Sequence, residues 1–128
     1  MIPVVGINSA SAPFMADIGD LLKRLETRSR NMLRSLVGQR VILAETQRGG
    51  YLAMYTAVIR SARPVRSRDK WDALRPLHRV PVGNPFDWKE GDRVRWAYEL
   101  SSLRRLRPFL VPEGRRHGRT WMEYEPLR

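Results

Sequence analysis

The chain has 128 residues, no cysteine and a formal net charge of +11, from 24 Lys and Arg residues against 13 Asp and Glu. This length is typical of one domain with its own core, so we expect a single domain over residues 1–128. The lack of cysteine excludes disulfides and thiolate metal sites. No apolar stretch reaches the roughly 18 residues of a membrane-spanning helix, and no signal-peptide pattern begins the chain. We therefore expect a cytoplasmic protein without a membrane contact.

Arginine supplies most of the positive charge. Guanidinium groups bind phosphate through paired hydrogen bonds and stack on bases, and a large basic excess favours polyanionic partners. We therefore expect nucleic acid as the partner. The alternative is that the arginines keep the protein soluble or reflect the codon usage of a GC-rich genome.

The first predicted element is a helix over residues 13–23. Pro13 suits the first position of a helix, where no backbone N–H is needed. Apolar residues from Phe14 to Leu22 then recur at the spacing of one helix face.

The residues after this helix alternate with a period of two, which is typical of a strand. Leu25 and Thr27 face one side of such a strand, and Glu26 and Arg28 face the other. Charged side chains therefore come together immediately before the predicted core.

Two longer strands follow, joined by a turn. The run "RVILAET" (residues 40–46) is rich in branched apolar residues and is predicted to be a buried strand, with "QRGG" after it as the turn. In "YLAMYTAVIRSA" (residues 51–62) the odd-numbered residues from Tyr51 to Ile59 share one face of a long strand.

The second half of the chain holds one predicted helix and two predicted strands. "SRDKWDALRPLHRV" (67–80) is predicted to be a short helix that ends near Pro76, and the next twelve residues a loop. Strands are predicted for "RVRWAYEL" (93–100) and "RTWMEYE" (119–125), with a strand broken by loop between them. About five strands and two helices, without regular alternation, predict an α+β fold: a small mixed β-barrel with helices at its rim.

Metal or phosphate-loop chemistry has little support in this sequence. The two histidines, His78 and His117, lie far apart, no carboxylates cluster, and "QRGG" lacks the spacing of a P-loop. We expect no metal ion and no cofactor. His78 is predicted to be a surface or capping residue at a helix end, and His117, in a basic loop, either to contact phosphate or to be solvated.

The aromatic residues divide between core and candidate ligand contacts. Trp71 lies on an apolar helix face and is predicted to be core, whereas Trp88 lies in a predicted loop, where an exposed Trp stacks on a base. Trp96, Tyr98 and Trp121 lie in predicted strands, and at least two of them are expected in the core. For Tyr98 both a core position and a ligand contact stay open.

The segment "LKRLETRS" resembles the signature of the ASCH domain, a member of the PUA-like superfamily related to the EVE and YTH domains. The family pattern is Gly-x-Lys-x-x-Glu-x-Arg, between a first helix and a strand, and Lys23, Glu26 and Arg28 match it in order and spacing. Leu21 stands at the position of the glycine. The likeness covers nearly the whole chain, through "GQRVILAET", "YLAMYTAVIRSARPV" and "WAYELSSLRRLRPFLVPEGRRHGRTW".

This resemblance implies a PUA-like barrel with a cleft beside the signature, which binds RNA or another nucleic acid. Some small bacterial members look like enzymes, one kind an amidohydrolase of N4-acetylcytidine and another a ribonuclease. In the amidohydrolase type, threonine, the proposed nucleophile, stands at the position of Glu26. The resemblance therefore implies either a nucleic-acid-binding domain or a small metal-independent enzyme that uses Lys23, Glu26 and Arg28.

The three charged residues suit several roles in such a cleft. Lys23 is able to grip phosphate or act as a base, and Glu26 to accept a hydrogen bond from an exocyclic amine or act as a general base. Arg28 is able to orient Glu26 or to stabilise charge on phosphate. The alternative is a salt-bridge cluster that ties the helix to the barrel.

A second basic segment is predicted to follow the phosphates of a single-stranded RNA around the cleft. Only Glu113 offsets its charge between residues 101 and 120. The alternative is a solvated loop. The predicted nucleic-acid contacts outside the signature are Tyr98, Arg104, Arg105, Arg107, Arg115, Arg116, His117 and Arg119.

Overall fold

The computed structural model of the chain describes residues 1–112, 116–117 and 121–125, with the backbone alone for residues 116 and 117. Its main element is one mixed sheet, whose described strands are β1 (Ile2–Ile7), β2 (Leu25–Arg28), β3 (Arg40–Gln47), β4 (Gly50–Val65), β5 (Arg95–Leu110), β6 (Arg116–His117) and β7 (Trp121–Tyr124). The described helices are α1 (Phe14–Gly19), α2 (Arg68–Ala73) and α3 (Arg75–His78), with a 3₁₀ turn at Arg34–Leu36. None of the helices in these ranges is long and apolar enough to cross a membrane.

The strand order is β2-β5-β4-β3-β1-β7-β6. β1 and β3 run parallel, and the other described pairs are antiparallel. Within the described ranges the sheet is open, since β2 and β6 stand at its two ends and no pairing joins them. The predicted α+β class with a mixed, barrel-like sheet and short helices is confirmed, with seven described strands instead of about five.

The central strands β1 and β3 are apolar on both faces. Val5 and Leu43 pack in the main core, whereas Val4 and Ile42 pack in a smaller cluster. Strands buried on both faces are continuous apolar runs, which explains "VILA" in β3. Phe109, near the end of β5, packs against the smaller cluster, which contains Ala53, its partner on β4.

The hairpin of β3 and β4 follows the predicted pattern. Along β4 the odd-numbered residues from Ala53 to Ile59 are buried. "QRGG" contains the turn, where Gly49 has a φ of +88° that favours glycine. β5 is longer than predicted and continues to Leu110. Its pairing with β4 shifts register at several points, and such bulges let an irregular strand continue.

Three further features differ from the sequence prediction. β1 is missed because "IPVVGI" is short and contains Pro3 and Gly6, residues that weaken a strand pattern. The first helix ends at Gly19 instead of Lys23, because the chain then turns through a left-handed residue. Pro76 lies in the first turn of α3 instead of ending a helix, since proline is tolerated where no N–H bond is needed.

Candidate functional site

The end of helix α1 sets the position of Lys23. The helix ends on Gly19, where a Cβ atom would overlap the hydroxyl group of Tyr55. The backbone then turns through Leu21, at a φ of +60°. The N–H of Lys23 donates to the carbonyl oxygen of Asp17 at 3.0 Å, which anchors this turn to the helix.

Glu26, on β2, lies between two cations. Its Oε1 is 3.6 Å from the Nζ of Lys23, and its Oε2 is 3.2 Å from the Nη1 of Arg28. The backbone N–H of Thr27 donates to Oε1 at 3.1 Å. The sequence prediction that Glu26 and Arg28 share one side of a strand agrees with this ion pair.

Backbone carbonyl groups fix the two cations. The Nζ of Lys23 donates to the carbonyl oxygen of His78 at 2.6 Å, and the Nη2 of Arg28 donates to that of Gly6 at 3.0 Å. The Nζ of Lys23 also lies 4.9 Å from the centre of the Phe14 ring, a cation–π geometry. The cluster therefore ties α1, α3, β1 and β2 together.

Burial changes the acid–base behaviour of Lys23. Its side chain is 1% exposed, against 8% for Glu26 and 21% for Arg28. Desolvation lowers the pKa of the Lys23 ammonium below its usual value, and attraction to Glu26 opposes this shift. A lysine in this environment gives up a proton more easily than a surface lysine.

The cluster lines a cavity of about 340 Å³, here called the cleft. Small-molecule sites span roughly 300–1,000 Å³, so the cleft suits a ligand of about nucleoside size. Most of its other walls are apolar or aromatic. Besides Lys23, Glu26 and Arg28 it is lined by Val4, Gly6, Ile7, Asn8, Phe14, Thr27, Met32, Thr46, Tyr51, Val80, Phe86, Trp121 and Met122.

Most of these walls were missed by the sequence analysis. Met32 and Phe86 lie outside helices and strands, where no local pattern marks them, and Val4 and Ile7 belong to the unpredicted β1. A large aromatic side chain in a polar loop is the one feature of the sequence that marks a cleft residue. Phe86, which is 39% exposed, is such a residue. In the described part of the chain, no three His, Asp or Glu side chains are close enough to hold a metal ion.

His78 supports Lys23 from inside the core, so the surface alternative of the prediction is wrong, whereas the capping alternative agrees with its hydrogen bond to a backbone carbonyl group of α2. Its side chain is buried and stacks on Trp71, with the ring centres 4.1 Å apart. The N–H of Val80 donates to Nδ1 at 3.0 Å, so Nε2 carries the proton and donates to the carbonyl oxygen of Trp71 at 2.9 Å. Desolvation lowers the pKa of His78 to about 4, so the ring is neutral at physiological pH.

The loop after α3 is anchored in the same core. Asp87 accepts hydrogen bonds from the Nε1 of Trp71 at 2.7 Å and from the N–H of Gly83 at 2.9 Å. Burial raises the pKa of Asp87, but these hydrogen bonds, together with those from the Trp88 backbone and the Arg75 side chain, outweigh it and lower the pKa to about 2. Trp88 is buried in the core cluster, with its ring centre 6.4 Å from that of Trp71. The prediction of an exposed Trp88 that stacks on a base is therefore wrong.

The aromatic residues of β5 and β7 pack with the core. Tyr98 is fully buried, and its hydroxyl group donates to the Oδ1 of Asn31 at 2.8 Å. It does not line the cleft, so the predicted contact of Tyr98 with nucleic acid is wrong and the core alternative is correct. Trp96 and Trp121 are half-buried against the core, as predicted, and Trp121 also lines the cleft.

The described arginines of the second basic segment lie outside the cleft lining. Arg104, Arg105 and Arg107 are exposed on β5. The side chains of Arg116 and His117, in β6, and the residues Arg115 and Arg119 lie outside the described part of the chain. The role of this segment in binding phosphates stays a prediction.

The comparisons with known proteins concern the fold. No family model matches the chain, and the comparison with curated proteins found no match. The crystal structure of a serine-to-alanine mutant of the ASCH protein from Zymomonas mobilis aligns with a TM-score of 0.67, at 20% identity, over 84% of this chain and 72% of that one. A second structure, of ASCH from the same organism, aligns with a TM-score of 0.64, at 17% identity, over 83% of this chain and 71% of that one. The chain therefore has the fold of the ASCH domain proteins, as its charged signature predicts.

Proposed function

We propose that the cleft binds a nucleobase or nucleotide of a single-stranded RNA. The observation that carries this proposal is the Lys23–Glu26–Arg28 cluster within an otherwise apolar and aromatic cavity of nucleoside size. A base is a flat ring with an apolar face and hydrogen-bonding edges, and it needs that combination of walls and polar groups. Single-stranded bases are free to enter such a cavity, whereas those of a duplex are stacked and paired.

Glu26 and Arg28 each have a partner on such a ligand. The carboxylate of Glu26 accepts a hydrogen bond from an exocyclic amine of a base. Arg28 is the most exposed of the three and binds a carbonyl or phosphate oxygen. Phe86, partly exposed in the wall, offers a ring on which a base stacks.

The charge of the whole chain supports an RNA ligand. A net charge of +11 attracts polyanions and raises the rate at which they associate. In this proposal the exposed Arg104, Arg105 and Arg107 contact phosphates of the strand outside the cleft.

Two arginine variants test the proposal. Arg28→Ala removes a cation that lines the cleft, whereas Arg24→Ala removes an exposed arginine of the same segment that does not line it. A hydrogen bond to a charged group is worth about 1.5–3 kcal/mol, so calorimetric titration with a short single-stranded RNA should show at least a tenfold loss of affinity for Arg28→Ala. Arg24→Ala should lose much less. Equal affinities for both variants and the wild type would contradict a ligand in the cleft.

A second candidate function rests on the acid–base pair of Lys23 and Glu26. The two side chains lie 3.6 Å apart, and desolvation lowers the pKa of Lys23, as general acids and bases require. In a metal-independent ribonuclease Glu26 would take the proton of a ribose 2′-hydroxyl group as it attacks phosphorus, and Lys23 would protonate the leaving 5′-oxygen. An amidohydrolase of a nucleoside such as N4-acetylcytidine is the other enzyme reaction to assay.

A denaturing gel separates this candidate from binding alone. End-labelled single-stranded RNA is incubated in EDTA with the wild type, with Lys23→Met and with the control Lys70→Met, which removes an exposed lysine. A ribonuclease should cleave with the wild type and the control but not with Lys23→Met. Intact RNA in all three lanes, or cleavage that survives Lys23→Met, would exclude the proposed roles.

A further inference from the structure

A second cavity adjoins the cleft. It has a volume of about 410 Å³ and is lined by Thr46, Gln47, Gly49, Gly50, Tyr51, Val111 and Met122. Three of these residues, Thr46, Tyr51 and Met122, also line the cleft. The two cavities are therefore neighbours that share part of their walls, and Tyr51 is one of the shared residues.

Tyr51 occupies a defined position between the two cavities. Its ring packs against the backbone of Gly6, where a Cβ atom would lie 3.0 Å from the Cε1 of Tyr51. The carbonyl group of Gly6 also accepts the hydrogen bond from Arg28. The ring is therefore placed beside the charged cluster, and it presents an aromatic surface where the cavities meet.

The second cavity differs from the cleft in chemistry. Its described lining holds no charged side chain: Thr46 and Gln47 supply polar groups, Val111 and Met122 supply apolar surface, and the glycines supply bare backbone. Arg48 is exposed in the same turn, between Gln47 and Gly49. Neutral hydrogen-bonding groups beside an aromatic ring suit a base, and a nearby exposed arginine suits a phosphate.

We infer that the second cavity holds the nucleotide next to the one bound in the cleft, with Tyr51 as the stacking residue between them. The ligand is then an oligonucleotide of at least two nucleotides instead of a free nucleoside. This inference rests on the proposed function, because it takes the cleft as the first nucleotide site.

Calorimetric titration with matched ligands tests it. For each of the four bases, the affinity of the nucleoside is compared with that of the dinucleoside monophosphate of the same base. Stacking of one base on an aromatic side chain is worth about 1–3 kcal/mol, so the dinucleotide should bind about 5- to 150-fold more tightly for at least one base.

Two isosteric variants test whether the higher affinity of the dinucleotide comes from the second cavity. Gln47→Glu puts a negative charge into the second cavity only, and Gln39→Glu makes the same change at an exposed site that lines neither cavity. We expect Gln47→Glu to lower dinucleotide affinity at least threefold more than Gln39→Glu and to leave nucleoside affinity unchanged. Tyr51→Phe should keep the dinucleotide gain, and Tyr51→Ala should lose it.

The outcomes separate this inference from the function on which it rests. Nucleoside binding without a dinucleotide gain, or a gain that Gln47→Glu and Gln39→Glu change equally, would overturn the second site and leave the cleft in place. No binding of either ligand would overturn the proposed function, and the second site with it.

Discussion

Glu26 is the residue on which the charge balance of the cleft depends. It is the buried anion between Lys23 and Arg28, and each of its carboxylate oxygens faces one of these cations. Burying a lysine is costly unless a partner compensates it. The sequence leaves open whether the three residues form a salt-bridge cluster or line a polar pocket. The structure combines the two, because the salt-bridge cluster forms the polar wall of the cleft.

Replacing this carboxylate should make Lys23 a weaker base. Glu26 raises the pKa of Lys23 against the stronger effect of desolvation, so Glu26→Gln should lower that pKa further. The chain has three lysines, Lys23, Lys70 and Lys89, so NMR of labelled lysine side chains resolves each titration. Asp17→Asn is the matched control, because Asp17 raises the pKa of Lys23 less than Glu26 does. An unchanged or higher pKa of Lys23 in Glu26→Gln would contradict the ion pair.

The sequence predicts the charged trio well and its surroundings poorly. The spacing of Lys23, Glu26 and Arg28 places them together because two sit on one side of a strand and the third ends the preceding turn. The groups that hold the cations are backbone carbonyls, of His78 and Gly6, distant in sequence. A backbone carbonyl leaves no mark in the sequence, so these contacts follow only from the fold.

At the scale of elements, the turn after α1 is strained at one residue. Leu21 has a φ of +60° and a side chain that is 57% exposed, at the position where the signature pattern has glycine. A left-handed conformation costs an L-residue about 1–2 kcal/mol, and glycine avoids this cost.

Glycine at this position should therefore stabilise the protein. We expect Leu21→Gly to raise the free energy of unfolding by about 0.5–1 kcal/mol, after the entropy of glycine in the unfolded chain is subtracted. Leu22→Gly is the control, since Leu22 is similarly exposed and does not have a positive φ. It should lower stability in urea unfolding. A loss of stability in both variants would mean that Leu21 contributes more through packing than it costs through strain.

The packing of α3 on α2 buries a histidine, His78, whose protonation opposes folding. The pKa of His78 is lowered from 6.5 to about 4 in the folded state, chiefly by desolvation, so the unfolded chain binds more protons between these values. Stability from this group is complete above the unfolded pKa and is lost as the pH falls toward 4. Asp87, with a pKa lowered from 3.8 to about 2, adds a loss only at lower pH.

A neutral replacement of His78 tests this dependence. For the wild type we expect the free energy of unfolding to fall by about 2–3 kcal/mol between pH 7 and about pH 4.5. His78→Gln should be less stable than the wild type at pH 7, because it loses the stacking on Trp71. Its free energy of unfolding should fall much less between the two pH values. Urea unfolding at the two pH values measures both. Parallel losses in the two proteins would show that another group controls the transition.

Sequence prediction succeeds for elements whose periodicity matches their burial. β3 and β4 are predicted because apolar runs and alternation survive in the fold. The predicted exposure of His78 and Trp88 is wrong because tertiary contacts with Trp71 bury both residues. From the local pattern alone, a histidine at a helix end or a tryptophan in a loop is expected to be exposed. The predicted end of β5 is wrong because Pro108 is tolerated in a strand whose register is already irregular, so the strand continues to Leu110.

At the scale of the whole molecule, the positive charge is distributed widely. Arg104, Arg105 and Arg107 are exposed on β5, outside the cleft lining, whereas Arg60 and Arg63 are exposed on β4 and Arg66 is exposed just after its end. If the β5 arginines contact phosphates, their effect appears in the salt dependence of RNA binding and not in the affinity for a nucleoside.

Two triple variants separate a specific phosphate surface from overall charge. Each phosphate contact on a single strand contributes about 0.7 to the slope of log affinity against log salt, so alanine at the three β5 arginines should reduce that slope by about 2. The same change at Arg60, Arg63 and Arg66 removes equal charge and should reduce the slope much less. Equal reductions would mean that only the net charge attracts RNA.

The most direct test of a ligand in the cleft is an NMR titration of lysine-labelled protein with a short single-stranded RNA. Lys23 lines the cleft, whereas Lys70 and Lys89 are exposed and do not line it. We predict that the side-chain signal of Lys23 shifts progressively and saturates, with little change at the other two lysines. Binding that leaves the Lys23 signal unmoved would place the RNA elsewhere and contradict the proposed function.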